Sequence, residues 1–270
     1  MRKFLLFALP ILTIAADASY IQKVETWRKN YETELRAPSG WLAVAGLVWL
    51  QEGANSMGSS VDSRVVLPNG APAHTEPLVM SGGQVTYEGK PLEIDKSTLK
   101  FGDVTITTIK RSGRVGVRLR DPNAATRMAY HGSNWYPIEP KWRVTATWIP
   151  DPKTISIVNI LGMKEDQTSP GRVEFTLEGK KITLEPVVEV VDGEEQLFFI
   201  FKDLTSGKQT YGAGRYLYTA MPKDGKVELE FNEAKNPPCA FTAYATCPLP
   251  PRQNAMPIAL EAGEKNYGKH

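Results

Sequence analysis

The hydrophobic pattern at the start of the chain predicts an amphipathic helix. Five apolar residues recur at intervals of three and four, with charged or polar residues between them: Ile21, Val24, Trp27, Tyr31 and Leu35. This spacing places the five side chains on one face of a helix over roughly residues 19–36. The segment 37–40, Ala-Pro-Ser-Gly, is a typical helix end. Residues 41–50 are then apolar throughout, a length that indicates a buried strand or helical turn.

From Val61 onward the pattern changes to short β-branched and aromatic runs separated by Gly, Pro, Asn and Asp. Three pairs of runs flank turn sequences and predict hairpins: 104–109 with 115–119, 173–177 with 182–184, and 216–220 with 227–231. Further strands are predicted at 143–148, 154–160 and 197–201. Sequential hairpins imply antiparallel pairing. We therefore predict a mainly β fold, an antiparallel barrel or sandwich-like sheet, with the N-terminal helix packed on it and an irregular segment after about Pro248 wrapped over it.

The first eighteen residues have the pattern of a secretory signal peptide. Arg2 and Lys3 precede an uncharged apolar run over residues 4–14, and Ala-Asp-Ala follows at 16–18. The apolar run is too short to span a bilayer. We expect cleavage near Ala18 and export to the periplasm or the extracellular space. The remaining chain, 19–270, is predicted to be one β-rich domain, because it contains no repeat, low-complexity tract or obvious linker.

Composition and charge exclude several classes of protein. The 270 residues carry 32 Lys+Arg against 30 Asp+Glu, so nothing in the charge favours binding to nucleic acid or to an anionic membrane. A hydrophobic content of 41% excludes a disordered chain. Two cysteines cannot form a disulfide-dense small fold or a four-cysteine zinc site. We expect a small-molecule partner, no nucleic acid and no stable membrane span; the oligomeric state stays open.

The familiar catalytic motifs are missing from the sequence. It has no G-x-S-x-G elbow, no H-E-x-x-H, no C-x-x-C and no P-loop. The three histidines are far apart, so we predict no metal site, and no cofactor is indicated. His131 is a candidate general base, although a plain loop histidine is the alternative interpretation.

Two C-terminal segments contain candidate site residues. Arg215 follows two small glycines, 212 and 214, and could clamp an anion; alternatively it sits at a bulge and pairs with an internal carboxylate such as Asp203. Cys239 and Cys247 are eight positions apart. In an exported protein they are a candidate disulfide, and a buried thiol pair or a redox pair are the alternatives.

These segments also carry a family resemblance. The chain resembles the bacterial and archaeal family called domain of unknown function 1684, through Ser-Gly-Trp-Leu at 39–42, Phe-Lys-Asp-Leu-Thr-Ser-Gly at 201–207, Tyr-Gly-Ala-Gly-Arg at 211–215, and Asn-Pro-Pro-Cys-Ala at 236–240 with Cys-Pro-Leu-Pro-Pro at 247–251. The family implies no activity. It does point to a polar set: Arg118, Trp135, Asp203, Arg215, Asn232, Asn236, Cys239, Cys247, Asn254 and Glu264. Such a set could line a ligand site or form a network that satisfies itself.

Three functional hypotheses follow. The first is an exported small-molecule-binding domain, with Trp and Tyr lining its cavity and Arg118, Trp135, Arg215, Asn232, Asn236 and Asn254 as ligand-binding candidates. The second is an exported hydrolase or lyase for a small polar or anionic substrate, with Arg215 as anion clamp and Asp203 or Glu264 as acid/base. The third is a structural envelope protein in which the polar residues only fasten the C-terminal loop. We favour the first.

Overall fold

The structure, a computed structural model, describes residues 11–68 and 70–268. Residues 1–10 of the predicted signal peptide lie outside this range. Helix α1 (Ile11–Arg36) ends where the sequence predicts and begins earlier than residue 19. Its apolar stripe packs on the protein: Val24 and Leu35 are buried, and Trp27 and Tyr31 are half-buried.

Strands and short helices make up most of the remaining chain, with 46% of residues in strands. The strands are β1 (Val44–Trp49), β2 (Gly53–Gly58), β3 (Val65–Val66), β4 (Thr75–Ser81), β5 (Gln84–Tyr87), β6 (Lys90–Leu92), β7 (Thr98–Phe101), β8 (Val104–Arg111), β9 (Arg114–Arg120), β10 (Arg143–Val158), β11 (Lys164–Leu177), β12 (Lys180–Leu184), β13 (Val187–Val191), β14 (Glu194–Phe201), β15 (Arg215–Ala220) and β16 (Lys226–Glu230). The short helices are α2 (Ala125–Met128) and five 3-10 turns: Trp41–Ala43, Pro140–Trp142, Phe231–Glu233, Pro238–Ala240 and Arg252–Asn254.

The strands form four sheets. Their orders are β1-β9-β8-β7, β3-β2-β4-β5-β6, β12-β11-β10-β16 and β13-β14-β15. Every pairing is antiparallel except the short parallel contact of β2 with β3. The described strands do not close into a barrel, so of the two predicted arrangements the sandwich-like one fits. The prediction of one domain over 19–270 stays a prediction.

Two of the three predicted hairpins form as such. Strand β8 pairs with β9, and β11 pairs with β12. The third prediction is wrong in its pairing: β15 pairs with β14, whereas β16 pairs with β10. The chain does reverse between them, where Lys223 N and Lys226 N each donate to the other residue's carbonyl. A local turn signal fixes a reversal, but which neighbour receives the next strand depends on the core that its side chains fill.

The described residues form four hydrophobic clusters, and two of them are large. One lies under the N-terminal sheets and includes Met57, Leu78, Ile106 and Val117. The larger one lies between β10–β12 with β16 and the β14–β15 pair, and the irregular tail supplies four of its residues: Met256, Ile258, Leu260 and Ala262. The tail therefore wraps over the sheets as predicted, held by its own apolar side chains. Between the sheets, α1 and the 235–248 loop, the structure leaves a cavity.

Candidate functional site

The cavity has a volume of about 340 Å³ and a largely aromatic wall. Helix α1, the β8–β9 hairpin, the β13–β15 sheet and the 235–248 loop each contribute side chains to it. The aromatic residues are Tyr31, Trp41, Phe198, Tyr216, Tyr218 and Phe241. The charged residues are Arg111, Arg118, Glu189 and Lys235. We call this the Arg118 cavity. Its volume and apolar lining with a few charged groups are typical of small-molecule sites.

Arg118 is the most unusual residue of this cavity. It lies on β9 opposite Leu47 of β1, it is only 4% exposed, and its guanidinium lies 4.7 Å from the ring centre of Trp41. No described residue forms a hydrogen bond or an ion pair with this guanidinium, and its buried Nε and Nη2 have no acceptor. Burial and the neighbouring arginines lower its pKa to about 10. A buried cation without a partner is costly in a folded protein, so the arrangement favours an anionic group supplied from outside the chain.

Lys235 is a second cation without an ionic partner. Its backbone N and O both pair with Tyr216, which fixes the residue against β15. Its ammonium lies 5.2 Å from the ring centre of Tyr31 and 4.9 Å from that of Tyr218. Within the described ranges it makes no hydrogen bond or ion pair with a side chain. Burial lowers the pKa of Lys235. Two aromatic faces therefore hold the ammonium in place of a carboxylate.

The other two charged groups of the cavity already have partners. Arg111 bonds to Asp95 at 3.0 Å, on the outer side. Glu189 accepts a hydrogen bond of 2.9 Å from the Tyr218 hydroxyl, and burial raises the pKa of Glu189. With Arg111 paired, the wall keeps two cations, Arg118 and Lys235, that have no ionic partner among the described residues. The cavity as a whole favours an anion.

Asn236 and Glu264 connect the cavity wall to the buried C-terminal tail. Asn236 N donates to Glu264 Oε2 at 2.8 Å, Asn236 Nδ2 donates to the Lys265 carbonyl at 2.8 Å, and the Tyr31 hydroxyl donates to Glu264 Oε2 at 3.2 Å. Asn236 Oδ1 and Glu264 Oε1 are buried without a donor. Burial raises the pKa of Glu264 to about 7. A protonated Glu264 would supply a hydrogen-bond donor where it meets Asn236, so the protonation state of Glu264 affects how this part of the cavity wall is held.

Arg215 and Asp203 lie outside the cavity and bind each other. Arg215 Nη2 lies 2.9 Å from Asp203 Oδ2, both side chains are fully buried, and the guanidinium also donates to the carbonyls of Leu260 and Ala262. The close approach of strand ends depends on Gly214 (φ +92°), where a Cβ would collide with the Phe201 carbonyl. We call this arrangement the Arg215 lock. It matches the alternative in which Arg215 pairs with Asp203, and it gives no geometric support to an Arg215 anion clamp or an Asp203 acid/base.

Asn232 and Asn254 are likewise occupied by the fold. Asn254 exchanges hydrogen bonds with the backbone of Glu185 and donates to the Ile200 carbonyl. Asn232 exchanges hydrogen bonds with the backbone of Glu139 and also bonds to Glu230. Each amide fastens an irregular segment to a strand, as buried side-chain amides commonly do. Neither residue lines the cavity.

Trp135 and His131 lie near the outer end of helix α1. Trp135 Nε1 donates to Glu32 at 2.7 Å, and its ring packs edge-on against Trp27 and Tyr31. Trp135 therefore packs against Tyr31 and is not itself one of the residues that line the cavity. His131 is exposed. Its position agrees with the plain loop interpretation.

The two cysteines are adjacent, and one of them lines the cavity. Cys247 is 4% exposed and belongs to the wall, and Cys239 is half-buried. Both are free thiols in the structure, with Cys239 N donating to Cys247 Sγ at 3.1 Å. A hydrogen bond from the Cys247 thiol lowers the pKa of Cys239, whereas the same bond and burial raise that of Cys247. This agrees with the buried thiol pair, and the disulfide stays a prediction.

Sequence reasoning predicted three of the cavity residues, Arg118, Asn236 and Cys247. It missed Lys235, Glu189 and Arg111, because a single lysine or glutamate in a strand or loop has the pattern of a solvated surface. One tryptophan and three tyrosines line the cavity, namely Trp41, Tyr31, Tyr216 and Tyr218, whereas their part in binding a ligand stays a prediction. Within the described residues there is no group of three or more His, Cys, Asp or Glu side chains suited to a metal ion. None of the described helices combines the length and apolar composition needed to cross a membrane.

Fold and site together define a mainly β protein with an aromatic, cation-lined cavity. The family described as protein of unknown function (DUF1684) matches residues 128–265, just over half of the chain, and the chain belongs to this family. The matched segment contains Lys235 and Asn236, whereas Arg118 and Trp41 precede it.

The chain is similar to an uncharacterized protein of Haloarcula marismortui whose structure was determined by solution NMR. The two are 28% identical, the alignment covers 56% of this chain and 83% of that chain, and the TM-score is 0.45. No curated protein matches the chain.

Proposed function

We propose that this is an exported protein that binds a small organic anion in the Arg118 cavity. The observation that carries the proposal is the buried guanidinium of Arg118, which lines the cavity and has no acceptor among the described residues. A carboxylate or phosphate would satisfy it through two charge-assisted hydrogen bonds. The proposal of export rests on the N-terminal sequence pattern alone.

The aromatic wall sets the second property of the ligand. Six aromatic rings surround a volume of about 340 Å³, so the anionic group would be attached to an apolar or planar body of modest size. A bare inorganic anion would leave these rings in contact with water. An organic acid buries apolar surface against them while its charge faces Arg118.

The test compares an acid with a neutral compound of the same shape. We expect 3-phenylpropionate to bind the full mature chain and to change its tryptophan fluorescence, to which Trp41 contributes, whereas 3-phenylpropanol binds at least about tenfold more weakly, because it lacks the charge that Arg118 recognises. Isothermal titration calorimetry gives the two dissociation constants.

Strand β9 supplies a matched pair of variants. Arg114 lies over Trp49 at 4.5 Å, much as Arg118 lies over Trp41, but Arg114 is exposed and outside the cavity. Arg118→Gln is expected to abolish the preference for the acid, whereas Arg114→Gln keeps it. Equal binding of acid and alcohol by the unaltered protein, or loss of the preference in both variants, would contradict the proposal.

A further inference from the structure

Lys235 has the surroundings of a reactive amine rather than of a surface lysine. Its ammonium lies between two tyrosine rings in the Arg118 cavity and has no carboxylate within ion-pair distance among the described residues. The two rings stabilise the ammonium, whereas burial without a paired carboxylate favours the neutral, nucleophilic form of a lysine. Burial, the largest influence on it, lowers the pKa of Lys235.

The same cavity contains Arg118, which can bind an anionic group at the other end of a small molecule. Arg118 has no acceptor, so an anionic group placed on it would fix the remainder of a small molecule within the space that Lys235 borders. Positioning of this kind converts a slow bimolecular addition into an effectively intramolecular one.

We propose that Lys235 forms an imine with a small carbonyl compound whose carboxylate is bound by Arg118, that is, with a keto acid. This inference rests on the proposed function of the cavity and names its ligand class more narrowly. A keto acid carries both groups in one molecule, and Arg118 and Lys235 line the same cavity.

The step balances without any further reagent. Lys235 first gives a proton to Glu189, the carboxylate of the cavity wall, and the neutral amine then adds its electron pair to the carbonyl carbon while the carbonyl π pair moves onto the oxygen. A proton passes from the nitrogen to this oxygen and gives the carbinolamine. Glu189 returns its proton to the hydroxyl group, which leaves as water while the nitrogen lone pair forms the carbon–nitrogen double bond of a protonated imine. One water is released and nothing is oxidised or reduced. Glu189 and Lys235 are close enough for each to influence the pKa of the other.

Lys141 provides an internal control. It also lies over an aromatic ring, 4.6 Å from the centre of Trp142, but it is exposed and paired with Glu139 at 3.1 Å. Proximity to an aromatic ring alone would make the two lysines equally reactive. The proposal instead expects reaction at Lys235.

The experiment uses the full mature chain with phenylpyruvate and sodium cyanoborohydride, which reduces an imine to a stable amine. Peptide mapping by mass spectrometry is expected to find at least about tenfold more adduct at Lys235 than at Lys141, because Arg118 holds the keto acid beside Lys235 and nothing holds it beside Lys141. Arg118→Gln should reduce the adduct at Lys235 and leave that at Lys141 unchanged. Lys235→Arg should remove the specific adduct.

Phenyllactate separates this inference from the function on which it rests. It has the shape and carboxylate of phenylpyruvate but no carbonyl, so it tests binding without reaction, and Lys235→Arg is expected to keep binding it. Binding of phenyllactate with no excess of adduct at Lys235 overturns the imine and leaves anion binding intact. Failure of both phenyllactate and 3-phenylpropionate to bind overturns the proposed function itself.

Discussion

Arg215 and Arg118 are both buried and both lie over an aromatic ring, yet only Arg215 has a carboxylate partner. In the Arg215 lock the guanidinium also bonds to two backbone carbonyls, whereas Arg118 faces an open cavity and has no acceptor among the described residues. Burial of a charge is costly in both places, and only the first supplies compensation from within the chain. This difference distinguishes a buried arginine that stabilises the fold from one that is available to bind a ligand. Glu264 lies between the two, since it bonds to the cavity wall through Asn236 and interacts electrostatically with Arg215.

The largest effect is expected from breaking the Arg215 lock. Arg215→Met leaves Asp203 buried without its counter-charge, so the free energy of unfolding should fall by about 3–5 kcal/mol in urea denaturation. The double variant Arg215→Met with Asp203→Leu removes both charges and should recover much of that loss. A loss below about 1 kcal/mol in the single variant would show that the lock contributes little to folding.

The second largest effect is a pH dependence of stability caused by Glu264, which bonds to the wall of the Arg118 cavity and interacts electrostatically with Arg215. Because burial raises the pKa of Glu264 to about 7, the folded chain binds this proton more tightly than the unfolded chain, whose glutamates titrate near about 4.3. The contribution of Glu264 to stability is therefore complete below about pH 4 and is lost as the pH rises to about 7, by up to about 3 kcal/mol.

Urea denaturation at a series of pH values measures this decline. Glu233 is the necessary control, because burial and Glu230 raise the pKa of Glu233 to about 7 as well. Glu264→Gln should flatten the decline more than Glu233→Gln does, since Glu264 is the more deeply buried of the two. If the free energy of unfolding of Glu264→Gln declines with pH as that of the unaltered protein does, Glu264 is not the cause of the decline.

The smallest effect has the opposite sign and is the sharpest test of the comparison. Arg118→Met replaces an uncompensated buried charge with an apolar side chain, so the free energy of unfolding should rise by about 1 kcal/mol, after the lost contact with Trp41 is subtracted. Arg114→Met, on the exposed part of the same strand, should change it by less than about 0.5 kcal/mol. If Arg118→Met instead lowers the free energy of unfolding by more than about 1 kcal/mol, Arg118 stabilises the folded chain, as Arg215 does.

Local patterns predicted the elements of this fold better than their arrangement. The three- and four-residue spacing of Val24 and Leu35 predicted helix α1, because a helix needs only its own periodicity to present one apolar face. Turn sequences likewise predicted the β8–β9 and β11–β12 hairpins, whose partners are adjacent in sequence. The pairing of β16 with β10 was missed, because it joins segments about eighty residues apart and is decided by the core between them.

The site residues divide in the same way. Arg118 and Arg215 belong to one polar set in the sequence, and nothing local to either distinguishes a ligand group from a structural one. Asp203 sits twelve positions before Arg215, close enough for sequence reasoning to weigh the pairing. By contrast, the position of Lys235 between Tyr31 and Tyr218 brings together helix α1, strand β15 and the C-terminal loop.

The sequence by itself determined that this protein is mainly β with an amphipathic N-terminal helix, that its charge is balanced, and that most residues of its candidate polar set lie in the C-terminal half. These properties depend on periodicity and composition, which can be read from residues that are neighbours in the sequence. Only the tertiary structure decided which buried charges are compensated, because compensation depends on distances between segments far apart in the chain. For that reason the Arg215 lock and the Arg118 cavity become distinguishable only once the chain is folded.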